Sequence, residues 1–338
     1  YYLLVRNALA VNDLSGAAEA LADGLLTNPG DVNLWILRGE LNLARGQPAE
    51  AQQDAFIALS IDPTAEEAYL LQARADTARG DYGLSVLHLQ SYLFIYPGSI
   101  KGWTLLGEAR TLEGNFDLAI EAYSRAVNTE EKLPEQVPGY MARAELYLRR
   151  NLFSLAQADY STVLHIDETN AAAREGRARA AYQAGRFGEA IEDLDRLLEE
   201  TPGRNDLRLL KAQALVDGAN PVNEEAYTAA MNQALSLLTG NFPETLSGSL
   251  RATAYEYRAR VWFARESYRD ALRDIDQALA QEESGSRHYW RGRIQQAQGN
   301  LPEARREYEW VRLWGAVYSY PFLPDTIRYL DEIAAEAG

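Results

Sequence analysis

The chain has 338 residues and a formal charge of −16, from 49 acidic against 33 basic side chains. So acidic a balance argues against nucleic acid and anionic membranes as partners, because both call for a basic footprint. There is no cysteine, which excludes disulfides, thiolate chemistry and zinc–cysteine sites, and 47% apolar residues without a low-complexity tract mark a folded chain.

One pattern recurs along the chain. Its clearest copy is Ile100 to Glu131, IKGWTLLGEARTLEGNFDLAIEAYSRAVNTEE, and Ile100 is taken as position 1. The first copy starts three residues into this register, with Tyr1 at position 4, Val5 at 8, Ala17 at 20, Leu21 at 24 and Pro29 at 32. Its helix is expected to break at Asn12-Asp13. The second copy places Trp35, Gly39, Gly46, Ala51, Ala58 and Pro63 at positions 4, 8, 15, 20, 27 and 32; the third places Tyr69, Ala73, Gly80 and Pro97 in register. The fourth carries Trp103, Gly107, Gly114, Ala119 and Tyr123. A short insert, Lys132 to Gln136, precedes the fifth, with Tyr140, Ala144, Ala156 and Tyr160, and the sixth carries Ala178, Gly185, Ala190 and Pro202. The seventh degenerates after Ala212: its inter-helix turn is stretched over 217–223 and a loop follows its second helix over 239–248. The eighth recovers from Ala252 and the ninth from Gly285. Copies therefore begin near 1, 32, 66, 100, 137, 171, 205, 252 and 285. The aromatic stretch Trp310, Trp314, Tyr318, Tyr320, Phe322 comes next, then a last helix expected over Asp325 to Ala337 with Asp325 as N-cap.

The spacings have a physical sense. Positions 4, 7, 8 and 11 form one stripe of a first helix, and 20, 24 and 27 one stripe of a second. Small residues at 8 and 20 let the two helices approach, and aromatics at 4, 11, 17 and 24 fill the wedge between hairpins. Glycine at 15 ends the first helix where a left-handed residue is wanted, and proline at 32 stops the second. One hairpin cannot bury both faces, so the copies must stack.

These residues at these spacings resemble the tetratricopeptide repeat. The resemblance implies an all-α fold, a right-handed α-solenoid of about nine helix–turn–helix repeats over 1–318, with an aromatic and proline-bearing linker and a capping helix in 319–338. It also implies that the first helices line a concave groove, where positions 2, 5, 9, 12 and 13 face a protein or peptide. Carried over residue by residue, the candidate contacts are Arg74, Glu108, Glu145, Arg179, Arg260 and Arg293 at position 9, Met141 and Tyr289 at position 5, and Leu148, Tyr182 and Phe263 at position 12. In the Ile100 copy the expected contacts are Lys101, Thr104, Glu108 and Thr111, while Trp103, Gly107, Ala119 and Tyr123 are expected to bind nothing. Position 9 is largely acidic through the fifth copy and basic after it, so the C-terminal half of the groove suits the carboxylates of an extended peptide. A competing reading packs positions 5 and 12 against the next repeat and pairs Arg179 and Arg260 with Glu175 and Glu256, four residues earlier on the same helices. The carboxylate clamp of chaperone adaptors resembles this repeat but uses lysine at 5 and asparagine at 9. No copy here has either, which disfavours a receptor for chaperone C-terminal tails.

No residue nominates itself for catalysis. His88, His165 and His288 are far apart in the repeat order, against a shared metal site, and HExxH, GxxxxGK[ST] and GxSxG are absent. The pairs Glu130-Glu131, Glu199-Glu200 and Glu282-Glu283 read as solvated charge. The expectation is a non-enzymatic, cofactor-free scaffold for a protein or peptide. The alternative is a structural subunit of a cell-envelope or filament-type assembly, packing through its convex face, the loops of the seventh copy or the aromatic stretch. No apolar run approaches the ~18 residues of a membrane span, so this segment is not expected to insert. The chain opens on Tyr1 rather than Met, as a processed or trimmed piece would, with any signal or anchor lying upstream. Its basic residues are arginine apart from Lys101, Lys132 and Lys211, a composition compatible with a bacterial envelope protein, cytoplasm being the alternative.

Overall fold

The computed structural model describes residues 1–128 and 133–336, the side chain of residue 336 excepted. The Glu130-Glu131 pair, Lys132 and Ala337 lie outside the described residues. Those described are all-α, with nineteen α-helices and no strand. The solenoid expected from the repeats is the fold observed, and the chain divides into two compact units, Tyr1–Gly176 and Arg177–Gly338.

The first unit stacks the hairpins α1 (Tyr2–Ala10) and α2 (Leu14–Thr27), α3 (Val32–Ala44) and α4 (Pro48–Ile61), α5 (Glu66–Arg79) and α6 (Tyr82–Ile95), α7 (Ile100–Leu112) and α8 (Phe116–Ala126), and α9 (Val137–Arg149) and α10 (Phe153–Ile166). Helix α11 (Ala171–Gln183) carries the division. The second unit continues with α12 (Phe187–Glu200), α13 (Asn205–Asp217), α14 (Glu224–Leu238), α15 (Gly248–Ala264), α16 (Tyr268–Gln281), α17 (Gly285–Ala297), α18 (Leu301–Tyr318) and α19 (Leu323–Glu336).

The turn inside each hairpin is local chemistry. Position 15 is left-handed in eight copies: Gly46, Gly80, Gly114, Gly185 and Gly299 where it is glycine, and Asn12, Asn151 and Glu266 where it is not. Asparagine tolerates that region; glutamate has no such excuse. Between hairpins, the aromatic at position 4 reaches back to the proline at position 32 of the copy before. Trp35 Nε1 donates to the Pro29 carbonyl at 2.8 Å, Tyr69 Oη to Pro63 at 3.0 Å and Trp103 Nε1 to Pro97 at 2.8 Å. Each such bond ties one hairpin to the next at the point where the chain turns.

Packing follows the small-residue rule. An added Cβ at Gly107 would lie 2.4 Å from the Tyr123 ring, so the tyrosine occupies the space the glycine leaves. A second device, absent from the sequence expectations, is a buried ion pair between position 7 of the first helix and position 23 of the second. Arg143 grips Asp159 with two bonds, Nε at 2.8 Å and Nη2 at 2.7 Å; Arg177 holds Asp193 and Arg258 holds Asp274 the same way. Arg38 with Asp54 and Arg291 with Glu307 complete five copies. The constant spacing of sixteen residues is the signal that could have found them.

Two expectations change in the C-terminal half. The loop 239–248 packs inward: it carries a short 3-10 turn, Pro243–Thr245, and buries Phe242 and Leu246 in a cluster with Leu238 and Tyr257. Its apolar side chains are core, while Asn241, Glu244 and Thr245 stay exposed; in the 217–223 turn Val222 is 91% exposed. The last helix begins at Leu323, so Asp325 lies in its first turn instead of capping it, paired with Arg328 at 2.9 Å. There a carboxylate still complements the helix dipole.

Candidate partner-binding groove

In the first unit, the position-9 residues form a ladder. Arg74 Nη1 lies 3.4 Å from Glu40. It also faces Glu108, whose carboxyl is pushed up because protein crowds it in the groove despite an exposed rim, the Arg74 charge only partly countering this. Glu145 is exposed and accepts from Tyr160 Oη at 2.6 Å. Met141 and Leu148 are half-buried beside it. The accessible charge on this unit's first-helix face is therefore acidic, with Arg74 already countered.

One of the contacts expected in the Ile100 copy is corrected, and a second is half-buried. Thr104 is buried, its hydroxyl donating to the Ile100 carbonyl at 2.9 Å, and Thr111 donates to Gly107 at 2.8 Å. Leu70, Leu209, Glu256 and Tyr289 are also buried. Position 5 thus serves largely as packing.

In the second unit, Arg179 is exposed, with Asp206 at 4.0 Å. Arg260 is not free to receive a partner. Its Nη2 donates to Asp217 at 2.7 Å, and its guanidinium lies 4.3 Å from the Tyr257 ring and 5.1 Å from Trp290. Asp217 also accepts from Tyr182 and Tyr257, each at 2.7 Å. Burial, reinforced by Tyr257 and Asp217, holds the Tyr182 phenol well above its usual range, and burial pushes Tyr257 up to about 12, so both remain donors. Glu256, expected beside Arg260, turns instead to Arg287 at 3.1 Å and Ser286 at 2.5 Å.

Arg293 is different. Its guanidinium stands 4.9 Å from Tyr329, 5.2 Å from Phe263 and 5.9 Å from both Tyr289 and Trp290. Nη1 donates to Tyr289 Oη at 3.1 Å. Among the described residues no carboxylate pairs with it. Trp290 and Tyr329 were missed in the sequence because they fall outside the groove positions.

A second surface lies on the opposite helices of the first unit. A cavity of about 490 Å³ opens between α6, α7 and α8, lined by Leu93, Phe94, Trp103, Leu106, Leu118 and Arg125 among others. It sits where the arginine–aspartate pair gives way to Leu106 and Ala122 at positions 7 and 23. Phe94 at its edge is 90% exposed. Trp103, expected only to cement helices, lines this cavity with Arg125 stacked 4.8 Å above it.

His88 bonds Asp76 at 2.7 Å and His288 bonds Glu307 at 2.6 Å, in different units. Among the described residues no group of three His, Asp or Glu could hold a metal, and no helix is long and apolar enough to cross a membrane.

Stacked hairpins that expose polar and aromatic side chains along their first helices define a class of protein, the helical-repeat scaffold. The tetratricopeptide repeat model matches residues 2–66, 141–205 and 258–313, and the chain belongs to that family. Proteins of this family are generally non-catalytic and bind protein partners. The chain is 26% identical over 188 residues to the DnaJ homolog subfamily C member 7 homolog of Schizosaccharomyces pombe, which covers 52% of this chain and 40% of that protein. It is 26% identical over 162 residues to the cytochrome c-type biogenesis protein CcmH of Escherichia coli, covering 48% and 43%. It spans about two fifths of the length of these curated relatives. Among solved structures, the C-terminal part of a TPR repeat-containing protein from Cytophaga hutchinsonii matches 73% of this chain and 95% of its own, with a TM-score of 0.56 at 15% identity, a likeness of fold alone.

Proposed function

We propose that the chain is a non-catalytic scaffold that holds an acidic peptide or protein segment against the first-helix face of its second unit, with Arg293 as the anchor. The observation that carries this is the setting of Arg293. Arg38, Arg143, Arg177, Arg258, Arg260 and Arg291 are each matched to a carboxylate of the chain, and Arg293 is matched to none among the described residues. A guanidinium packed among aromatic faces has shed part of its water while keeping its charge, so an incoming carboxylate meets a pre-oriented fork. Arg179, exposed on α11, supports the same sign of ligand.

The test is a library of acidic and neutral peptides bound to the wild type and to Arg293→Ala. Acidic peptides should be selected, and the substitution should weaken them about tenfold or more. Arg305→Ala, which alters an exposed arginine paired with Glu309, should leave binding intact. Acidic peptides that bind Arg293→Ala as tightly as the wild type would sink this reading.

A second reading is favoured by the cavity at Trp103 and the exposed Phe94. It makes the chain a structural subunit that packs the opposite face of its first unit against another protein. A partner lost from Phe94→Ser yet retained by Arg293→Ala would favour it.

A further inference from the structure

The C-terminal aromatic stretch does two things at once. Phe322 stacks on Tyr289 at 4.8 Å and on Tyr320 at 5.2 Å, which seats α19 against the last hairpin. Trp314 and Tyr318 do not join that core; they are 39% and 62% exposed. They line, with Trp310 and Tyr320, a cavity of about 590 Å³ that is separate from Arg293 and lies wholly within the second unit.

The cavity has an aromatic wall. Trp310, Trp314 and Tyr318 follow one another at every fourth residue of α18, with ring centroids 6.1 Å apart in both steps. Their planes are inclined by 48° and 40°, so the wall bends round the space and is not a flat stack. Opposite it stands the short segment that starts α17. The hydroxyls there are already engaged: Ser284 Oγ accepts the Arg287 N–H as a helix cap, and Ser286 Oγ donates to Glu256. The charged group of the lining is Glu283, a largely exposed carboxylate 3.2 Å from His288 Nε2. His288 is itself stacked on Trp310, with centroids 4.0 Å apart.

We infer that this cavity is a binding site for an alkylated ammonium head group, such as a choline-type cation or a trimethylated lysine side chain. Aromatic faces and one carboxylate supply what such a cation uses, which is quadrupole and charge attraction. It carries no N–H, so it draws on the rings and the carboxylate without needing hydrogen-bond acceptors from the lining. The volume is ample for the head group together with the chain that bears it.

Ligand-observed NMR with the full chain tests this, at constant ionic strength. The probes are choline, a trimethyllysine peptide, its unmethylated counterpart and 3,3-dimethylbutan-1-ol, the neutral isostere of choline. Choline or the trimethyllysine peptide should bind about tenfold more tightly than its uncharged or unmethylated counterpart, and whichever binds better names the source of the head group. Glu283→Gln should weaken the cation and leave the neutral alcohol unchanged. Trp314→Ala should abolish the preference, and Tyr318→Ala, at a more exposed ring, gives the same readout should the first variant fail to fold. Equal binding of choline and its isostere, no binding of either cation, or binding untouched by Glu283→Gln would overturn the assignment.

Discussion

Tyr182 donates its phenolic hydrogen to Asp217 at 2.7 Å, although the two are 35 residues apart in sequence. Tyr257 donates to the same oxygen and Arg260 to the other one, so a single carboxylate gathers three copies of the repeat. Removing it strands a guanidinium whose Nε is already buried without a partner. Asp217→Ala is expected to cost about 3 kcal/mol, as for a broken buried pair, while Tyr182→Phe, which deletes one neutral donor, costs about 1 kcal/mol. Urea titrations followed by circular dichroism measure both; a small, equal loss in the two variants would show that the network does not hold the hairpins together.

Glu266 occupies the left-handed region at φ 59 without a side chain suited to it. Five other copies place glycine there and two place asparagine. Glu266→Gly is therefore expected to stabilise the chain by about 1 kcal/mol, the steric cost of that conformation outweighing the entropy glycine adds to the unfolded chain. Thermal melting decides it, and a lowered midpoint would mean that the strain is relieved by contacts of the glutamate.

Gly107 faces the Tyr123 ring, which is only 2% exposed and cannot move aside. Gly107→Ala should cost about 1–3 kcal/mol through overpacking. Gly114→Ala has open space around it but a φ of 86, so its cost of about 1–2 kcal/mol is purely backbone. A double change separates the causes: Tyr123→Leu should recover part of the loss at Gly107 and none at Gly114.

Alkaline pH should unfold both units over one window. Burial pushes the Tyr123 and Tyr257 phenols up to about 12, with Arg260 opposing the shift at Tyr257. An unfolded tyrosine ionises near 10.0. The folded values lie above the unfolded one, so the stability is whole below pH 10.0 and drains as pH rises towards about 12. Tyrosinate absorbance and helical signal, recorded together, should change in step over that range; tyrosines that all ionise near 10 with helix intact would contradict it.

Much of the fold was legible because its rules are local. The turn at position 15 follows from which residues tolerate positive φ, and the pairing of Gly107 with Tyr123 follows from a small residue and a large one at fixed register. The start of α19 was misplaced by two residues, because Asp325 looks like a cap and only the seating of Phe322 on Tyr289 shows where the helix begins. The ion pairs from position 7 to position 23 were equally regular, yet a search for apolar stripes passes over charged residues that the fold buries.

The sequence by itself determined the family, the hairpins and the absence of any motif that nominates catalysis, since periodicity and turn chemistry act over a few residues. Tertiary structure alone decided which arginines have partners. Arg260 and Glu256 stand four apart on one helix, but Glu256 turns to Arg287 and Arg260 to Asp217, 43 residues away. Charge pairing depends on distances across neighbouring helices, and those are set by how the hairpins stack. That stacking is also what leaves Arg293 among four aromatic rings with no carboxylate among the described residues beside it.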